Sequence, residues 1–341
     1  MEMSDSTIGL ILLLVAGVMN ASFTLPMKYT RRWAWENTWL IWTIFALLVL
    51  PPLVTLATIP QLRSVYDDVG PGLVLTVAAF GAGWGVAQVF FGLAVEAIGI
   101  ALAFSLILGI GAAVGSLIPL IRLHPDKIFS AGGIGVLAGV ALVIIGVSIC
   151  AVAGRRREAA LGGAASSAQP SMARGLIFSV FSGLGSALVN FGLAFGGPVL
   201  ASAQKFGARP EWAPNAVWLP LMVAGAVPNL VYCVYLMKKN KTAGRYAASG
   251  TSIYWFYAFL MAVFWFGSTL LYGVSAGKLG SWGPILGWPL FMSLIVITAS
   301  FHGVRTGEWK NTGKQPLRIQ LAGVGVLVLA VFVLAASSRW V

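Results

Sequence analysis

Ten apolar runs, each long enough to cross a bilayer, take up most of this 341-residue chain and leave short connections between them. Hydrocarbon offers no water to unpaired N–H and C=O groups, so each run must close its own backbone hydrogen bonds as an α-helix. Charged residues make up 9% of the chain, against roughly a quarter in soluble domains. A water-soluble globule is thereby excluded. The expected fold is an all-α membrane protein with ten transmembrane helices near residues 8–27, 39–58, 73–94, 100–121, 134–153, 175–196, 214–236, 253–275, 284–303 and 319–337. What remains suffices for loops and for no extramembrane domain. The residues ahead of the first run carry Glu2 and Asp5 in place of a cationic leader, which makes that run a retained helix rather than a cleaved signal.

The net charge of +12 is distributed by side of the membrane. Loops after the odd-numbered spans hold fifteen of the 22 Lys and Arg residues, Lys28, Arg31, Arg155, Arg156, Arg157, Lys238 and Lys239 among them. By the positive-inside rule these loops are cytoplasmic and both termini lie outside, in the periplasm of a bacterial-type inner membrane. Lipid, not nucleic acid, is the partner this charge implies. Trp33, Trp35, Trp39, Trp212, Trp309 and Trp340 fall at span ends, where headgroup anchoring is the expected role. Cys150 and Cys233 lie inside spans and read as small apolar filler, with no disulfide and no metal implied.

The chain repeats itself. Trp84, Phe91, Gly92 and Gly99 recur 181 residues later as Trp265, Tyr272, Gly273 and Gly280. Gly9-Leu10-Ile11 and Gly17 recur at an offset of 166 as Gly175-Leu176-Ile177 and Gly183, and Leu137 to Val140 at 184 as Leu321 to Val324. Residues 1–153 and 175–341 are therefore expected to be two five-helix repeats, joined by a small, polar cytoplasmic linker over 154–174. Five is odd, so the second copy enters from the opposite side. Inverted repeats underlie alternating access around a site near the membrane midplane, and transport is the expected function.

Polar groups inside the spans are few. An unpaired amide in hydrocarbon costs roughly 2–7 kcal/mol, so Asn20, Gln88, Asn190 and Asn229 must meet partner helices or a ligand. Interhelical bonding and ligand contact stand level for the first three, and bonding leads for Asn229 beside Pro228. Trp84, Phe91, Trp265, Tyr272 and Trp288 offer ring faces on which a neutral sugar can stack, and Ser268 with Thr269 adds hydroxyls. Glu96 is the sole acid between Leu73 and Ile121. An intramembrane carboxylate is a proton-coupling candidate, although a solvated helix end is the simpler account. No HExxH, GxSxG or paired metal-ligand motif appears, so no enzyme and no cofactor are expected.

Leu25-Pro26-Met27-Lys28 followed by Trp33-Ala34-Trp35-Glu36-Asn37-Thr38-Trp39 resembles the first loop of the L-rhamnose/proton symporter family, within the drug/metabolite transporter superfamily. Phe80 to Gly85, Phe91-Gly92-Leu93, Asn190, Leu219-Pro220 with Asn229, and Glu308-Trp309-Lys310-Asn311 resemble further landmarks of that family. The resemblance implies an inverted-repeat carrier of a small neutral sugar coupled to protons. Asn20, Trp84, Gln88, Phe91, Asn190 and Trp288 would line its cavity, and spans five and ten would be peripheral. Export of amino acids, drugs or other metabolites is the alternative within transport, and a membrane-embedded enzyme the alternative outside it. Self-association as a homodimer is left open.

Overall fold

The computed structural model describes residues 4–161 and 172–340. Ten candidate spans correspond one for one with the expected set: α1 (Asp5–Tyr29), α2 (Trp35–Thr58), α3 (Pro71–Ile98), α4 (Leu102–Leu123), α5 (Ala131–Ala160), α6 (Met172–Lys205), α7 (Asn215–Asn240), α8 (Ser252–Lys278), α9 (Gly280–Arg305) and α10 (Lys314–Trp340). The described residues form no strand. Helix α5 runs on through Ala160 and so takes in the start of the segment read as a linker; residues 162–171 lie outside the described residues.

Proline and glycine shape the spans locally. Pro51 and Pro52 lack the N–H that would close the turn before them. The chain absorbs this as a π-helical stretch over Ile44–Val49, which turns the face of α2 between Trp42 and Thr55. Helix α6 is interrupted at Ala187 and again at Gly196, ahead of Pro198. Helix α3 meets α7 through Gly81 and Gly85, where any Cβ would strike the Leu221 and Gly225 carbonyls.

The packing interleaves the two halves of the sequence. Helix α1 lies chiefly on α8 and α9, α6 chiefly on α3 and α4, and α5 on α10. The α5 and α10 helices are antiparallel: Gly139 abuts Leu334, Gly146 abuts Leu327, and Gly323 abuts Cys150. Loops after α1, α5, α7 and α9 gather at one end, hereafter the basic end. There Glu308 binds Lys28 and Arg157, each at 3.0 Å. Asn37 donates to the Thr242 carbonyl at 3.1 Å, and Tyr246 donates back to the Asn37 carbonyl at 3.0 Å. At the remote end Lys278 pairs with Asp5, Ser202 donates to Asp68 at 2.8 Å, and His124 stacks on Trp282.

Two expected interface anchors turn out to be packing residues. Trp33 is 5% exposed, edge-on to Tyr246 and Tyr254. Trp39 donates its indole N–H to Asn229 at 3.1 Å, which ties α2 to α7. Rings covered on both faces bury more area and gain edge-to-face attraction, which outweighs a place among headgroups.

Candidate functional site

An aromatic centre forms where α2, α3 and α8 converge. Trp84 and Trp265, the duplicated tryptophans, stack on each other with centroids 5.4 Å apart and planes at 21°. Trp42 meets Trp265 edge-on at 5.3 Å, and Trp39 lies 4.4 Å from Trp42. The i, i+3 spacing of Trp39 and Trp42 puts both on one face of α2, facing inward. One turn beyond Trp265, Ser268 donates to the Trp265 carbonyl at 2.6 Å and accepts from Asn20 of α1 at 2.9 Å. That leaves the Asn20 side-chain oxygen and one side-chain amide hydrogen unused among the described residues. Gln88, half-buried on α3 one turn past Trp84, bonds no described residue. The Trp42 indole N–H and the Thr43 hydroxyl are buried without a partner. Unmet buried donors cost about 1–3 kcal/mol each, so this centre holds more hydrogen-bonding capacity than the protein itself consumes.

The other expected residues close the remote end. Asn190 on α6 is fully buried and spends its whole amide: it donates to the Gly115 carbonyl of α4 at 2.7 Å and the Pro284 carbonyl of α9 at 2.9 Å, and accepts from the Tyr272 hydroxyl of α8. Tyr272 stacks on Phe291 at 5.2 Å and meets Trp288 at 5.7 Å. Trp288 in turn donates to the Gly111 carbonyl at 2.9 Å, and Ser116 donates to the Ile285 carbonyl at 2.6 Å. Four helices are thus latched together. Asn190, Tyr272 and Trp288 are the side chains that bind these helices together at the remote end.

Toward the basic end α4 and α9 part. The cleft between them and α5 and α10 has a volume of about 250 Å³ and is lined by Phe104, Leu108, Ile295 and Ser300, with Arg157 and Glu308 at its rim. A second crevice, between α3 and α6, is apolar. Neither is lined by any of the expected site residues. Phe91 instead packs on Phe104 at 4.7 Å. Glu96 is exposed near the end of α3 and joins no salt bridge among the described residues. Sequence reasoning read Trp42 as part of a span and did not single it out; its spacing from Trp39 was the available signal.

Partial burial raises the Glu308 carboxyl, but hydrogen bonds and charge from Lys28 and then Arg157 outweigh this and hold it below its ordinary value of 4.5. A depressed carboxylate adds stability above its unfolded value and loses it as pH falls through the folded one. With 41% of the side chain exposed, screening limits the gain to about 0.5 kcal/mol. Glu308→Gln is therefore expected to lower the unfolding temperature slightly at neutral pH and not at all in strong acid, read by thermal scans across pH in detergent.

A bundle of ten apolar helices, tied together at one end and cleft at the other, belongs to the class of multi-pass membrane proteins. Residues 3–338 match the model of the L-rhamnose-proton symport protein family, and the chain belongs to that family. It is 28% identical to the L-rhamnose-proton symporter of Mannheimia succiniciproducens over 323 residues, covering 93% of both chains. Against the L-rhamnose-proton symporters of Citrobacter koseri and Shigella sonnei it is 27% identical over 331 residues, covering 95% of this chain and 96% of each relative. The family is one of proton-coupled sugar symporters, transporters and not enzymes.

Proposed function

We propose that this chain imports L-rhamnose, or a closely related small neutral sugar, together with protons across the bacterial inner membrane by alternating access. The observation that carries the cargo class is the stacked Trp84 and Trp265 pair beside unspent polar groups on Asn20, Gln88 and Trp42. Ring faces suit the apolar face of a sugar, and amides suit its hydroxyls. The relatives carry rhamnose in their names.

Inverted repeats, and with them a place in the drug/metabolite transporter superfamily, form part of this reading. Several contacts recur when each helix is exchanged for the one five further on. Gly17 abuts Leu294 as Gly183 abuts Ile110, and Gly139 abuts Leu334 as Gly323 abuts Cys150. The edge-to-face pair Phe91 and Phe104 matches Tyr272 and Trp288. Gly99 and Gly280 both take a left-handed φ, 80° and 68°, after α3 and at the start of α9. Counterparts α5 and α10 run antiparallel, as inversion requires. The basic end faces the cytoplasm on the charge bias, which leaves both termini in the periplasm.

In proteoliposomes with acid outside, labelled L-rhamnose is expected to accumulate ahead of a panel of other sugars, amino acids and drugs. Preference for an amino acid or drug would replace the cargo assignment with the exporter reading. Glu96 is the proposed proton carrier on its position alone. Glu96→Gln should abolish acid-driven accumulation and spare exchange; unchanged accumulation removes Glu96 from the mechanism.

A further inference from the structure

Helices α4 and α9 are clamped at the remote end and separated at the basic end, and the residues at the two ends correspond. The contacts of Gly17 with Leu294 and Gly183 with Ile110, and the ring pairs of Phe91 with Phe104 and Tyr272 with Trp288, all set one register, in which a residue of α4 matches the residue 184 further on in α9. In that register the clamp of Trp288 on Gly111 becomes Phe104 on Ile295. The bond from Ser116 to the Ile285 carbonyl becomes one from Ser300 to the Ala101 carbonyl. Phe104, Ile295 and Ser300 all line the open cleft. Phe104 is 38% exposed there, whereas Trp288 in the closed clamp is 4% exposed.

Side-chain volume follows the same exchange. The Trp288 indole occupies the space left by Gly115, where a Cβ would run into the indole nitrogen, whereas the bare face of Gly111 meets Gly183 and Ser186 of α6. The position on α9 that matches Gly115 is Ala299, which already carries a side chain, and the ring that lines the cleft with it is the smaller Phe104. Large ring with glycine at one end and smaller ring with alanine at the other fill comparable space.

We infer that Phe104 and Ser300 are the gate residues of the basic end: when the remote clamp opens, Phe104 seats against Ile295 and Ser300 bonds the Ala101 carbonyl. This rests on the alternating-access reading. Neither residue is assigned to the sugar. Ser300 now donates to the Val296 carbonyl at 2.7 Å and accepts from Gln320 at 2.7 Å, so closing exchanges one carbonyl acceptor for another. Phe104 only slides from lipid-like surroundings to similar ones. Such a gate has little intrinsic bias, which suits a carrier that must visit both states.

Two experiments test the assignment. An indole at position 104 has no glycine to lie against, so Phe104→Trp is expected to cut L-rhamnose uptake about tenfold, and adding Ala299→Gly to restore most of it. Phe104→Trp at parental rate, or a Phe104→Trp/Ala299→Gly double variant no better than Phe104→Trp alone, overturns the gate. Independently, in a background with Cys150→Ser and Cys233→Ser, cross-linking Phe104→Cys to Ile295→Cys should block transport and raise labelling of a third cysteine, Ile285→Cys, by an impermeant maleimide from the remote side. Ile285 is fully buried now. A cross-link without new labelling, or no cross-link in any condition, also overturns it. If the parent carries another substrate and the labelling still couples, the cargo assignment fails and the gate stands.

Discussion

Asn190→Leu is expected to lower uptake by one to three orders of magnitude and to loosen the remote end. The leucine fills similar volume but leaves the Gly115 and Pro284 carbonyls and the Tyr272 hydroxyl without their partner. Interhelical hydrogen bonds in lipid contribute about 0.6–1.7 kcal/mol each, so three of them hold the remote end by about 2–5 kcal/mol. Removing that bias moves the population toward the unlatched form by a factor of about 30 to several thousand. Tyr272→Phe deletes one of the three and should cost about a third as much. The two changes should not add, because both break the same bond. Uptake rate together with cysteine accessibility at Ile285 reads the shift; parental values for Asn190→Leu would show that the amide is no latch.

The second large effect is at Trp265. Its ring stacks on Trp84 and takes the edge of Trp42, two contacts worth about 0.5–1.5 kcal/mol each beyond area. Truncation to alanine also leaves an indole-sized void, which in packed interiors brings the total to about 3–5 kcal/mol. Trp265→Ala should therefore lose both fold stability in detergent and all measurable uptake. Trp265→Phe keeps a ring and most packing. It should remain folded and transport with a KM raised about tenfold, since the smaller face covers less of a sugar. Equal KM for Trp265→Phe and the parent would move the sugar away from this centre.

Span number and type were plain in the sequence because lipid exposure forces unbroken apolar runs, and every expected helix appeared, although α5 runs on to Ala160 and α6 to Lys205, past the expected ends at 153 and 196. The division of labour among the polar residues was harder to read. Asn190 stood level between ligand contact and helix bonding, and its three partners come from segments 75, 94 and 82 residues away, a convergence that no local pattern records. Asn229 was expected to bond helices and does so through Trp39. Trp33 and Trp39 sit where interface rings usually sit, so their inward packing was hidden by position. Gln88 shares a helix with Trp84, yet the contacts of Phe91, two turns from Trp84, lie with Phe104. One helix thus serves both the centre and the cleft wall, a division set by which neighbours it meets.

The interleaving of the halves also dictates the order of assembly. Asn20 waits for Ser268, Gly115 for Asn190, Gly111 for Trp288, and Lys28 for Glu308. When the ribosome has delivered the first five helices, the Asn20 amide and the Gly115 carbonyl, which Pro119 gives no N–H to accept, lack the partners that the second half supplies. The nascent chain therefore stays a loose collection of spans until α8 and α9 insert. Quality control in the membrane would meet a truncated product as a bundle with exposed amides and carbonyls.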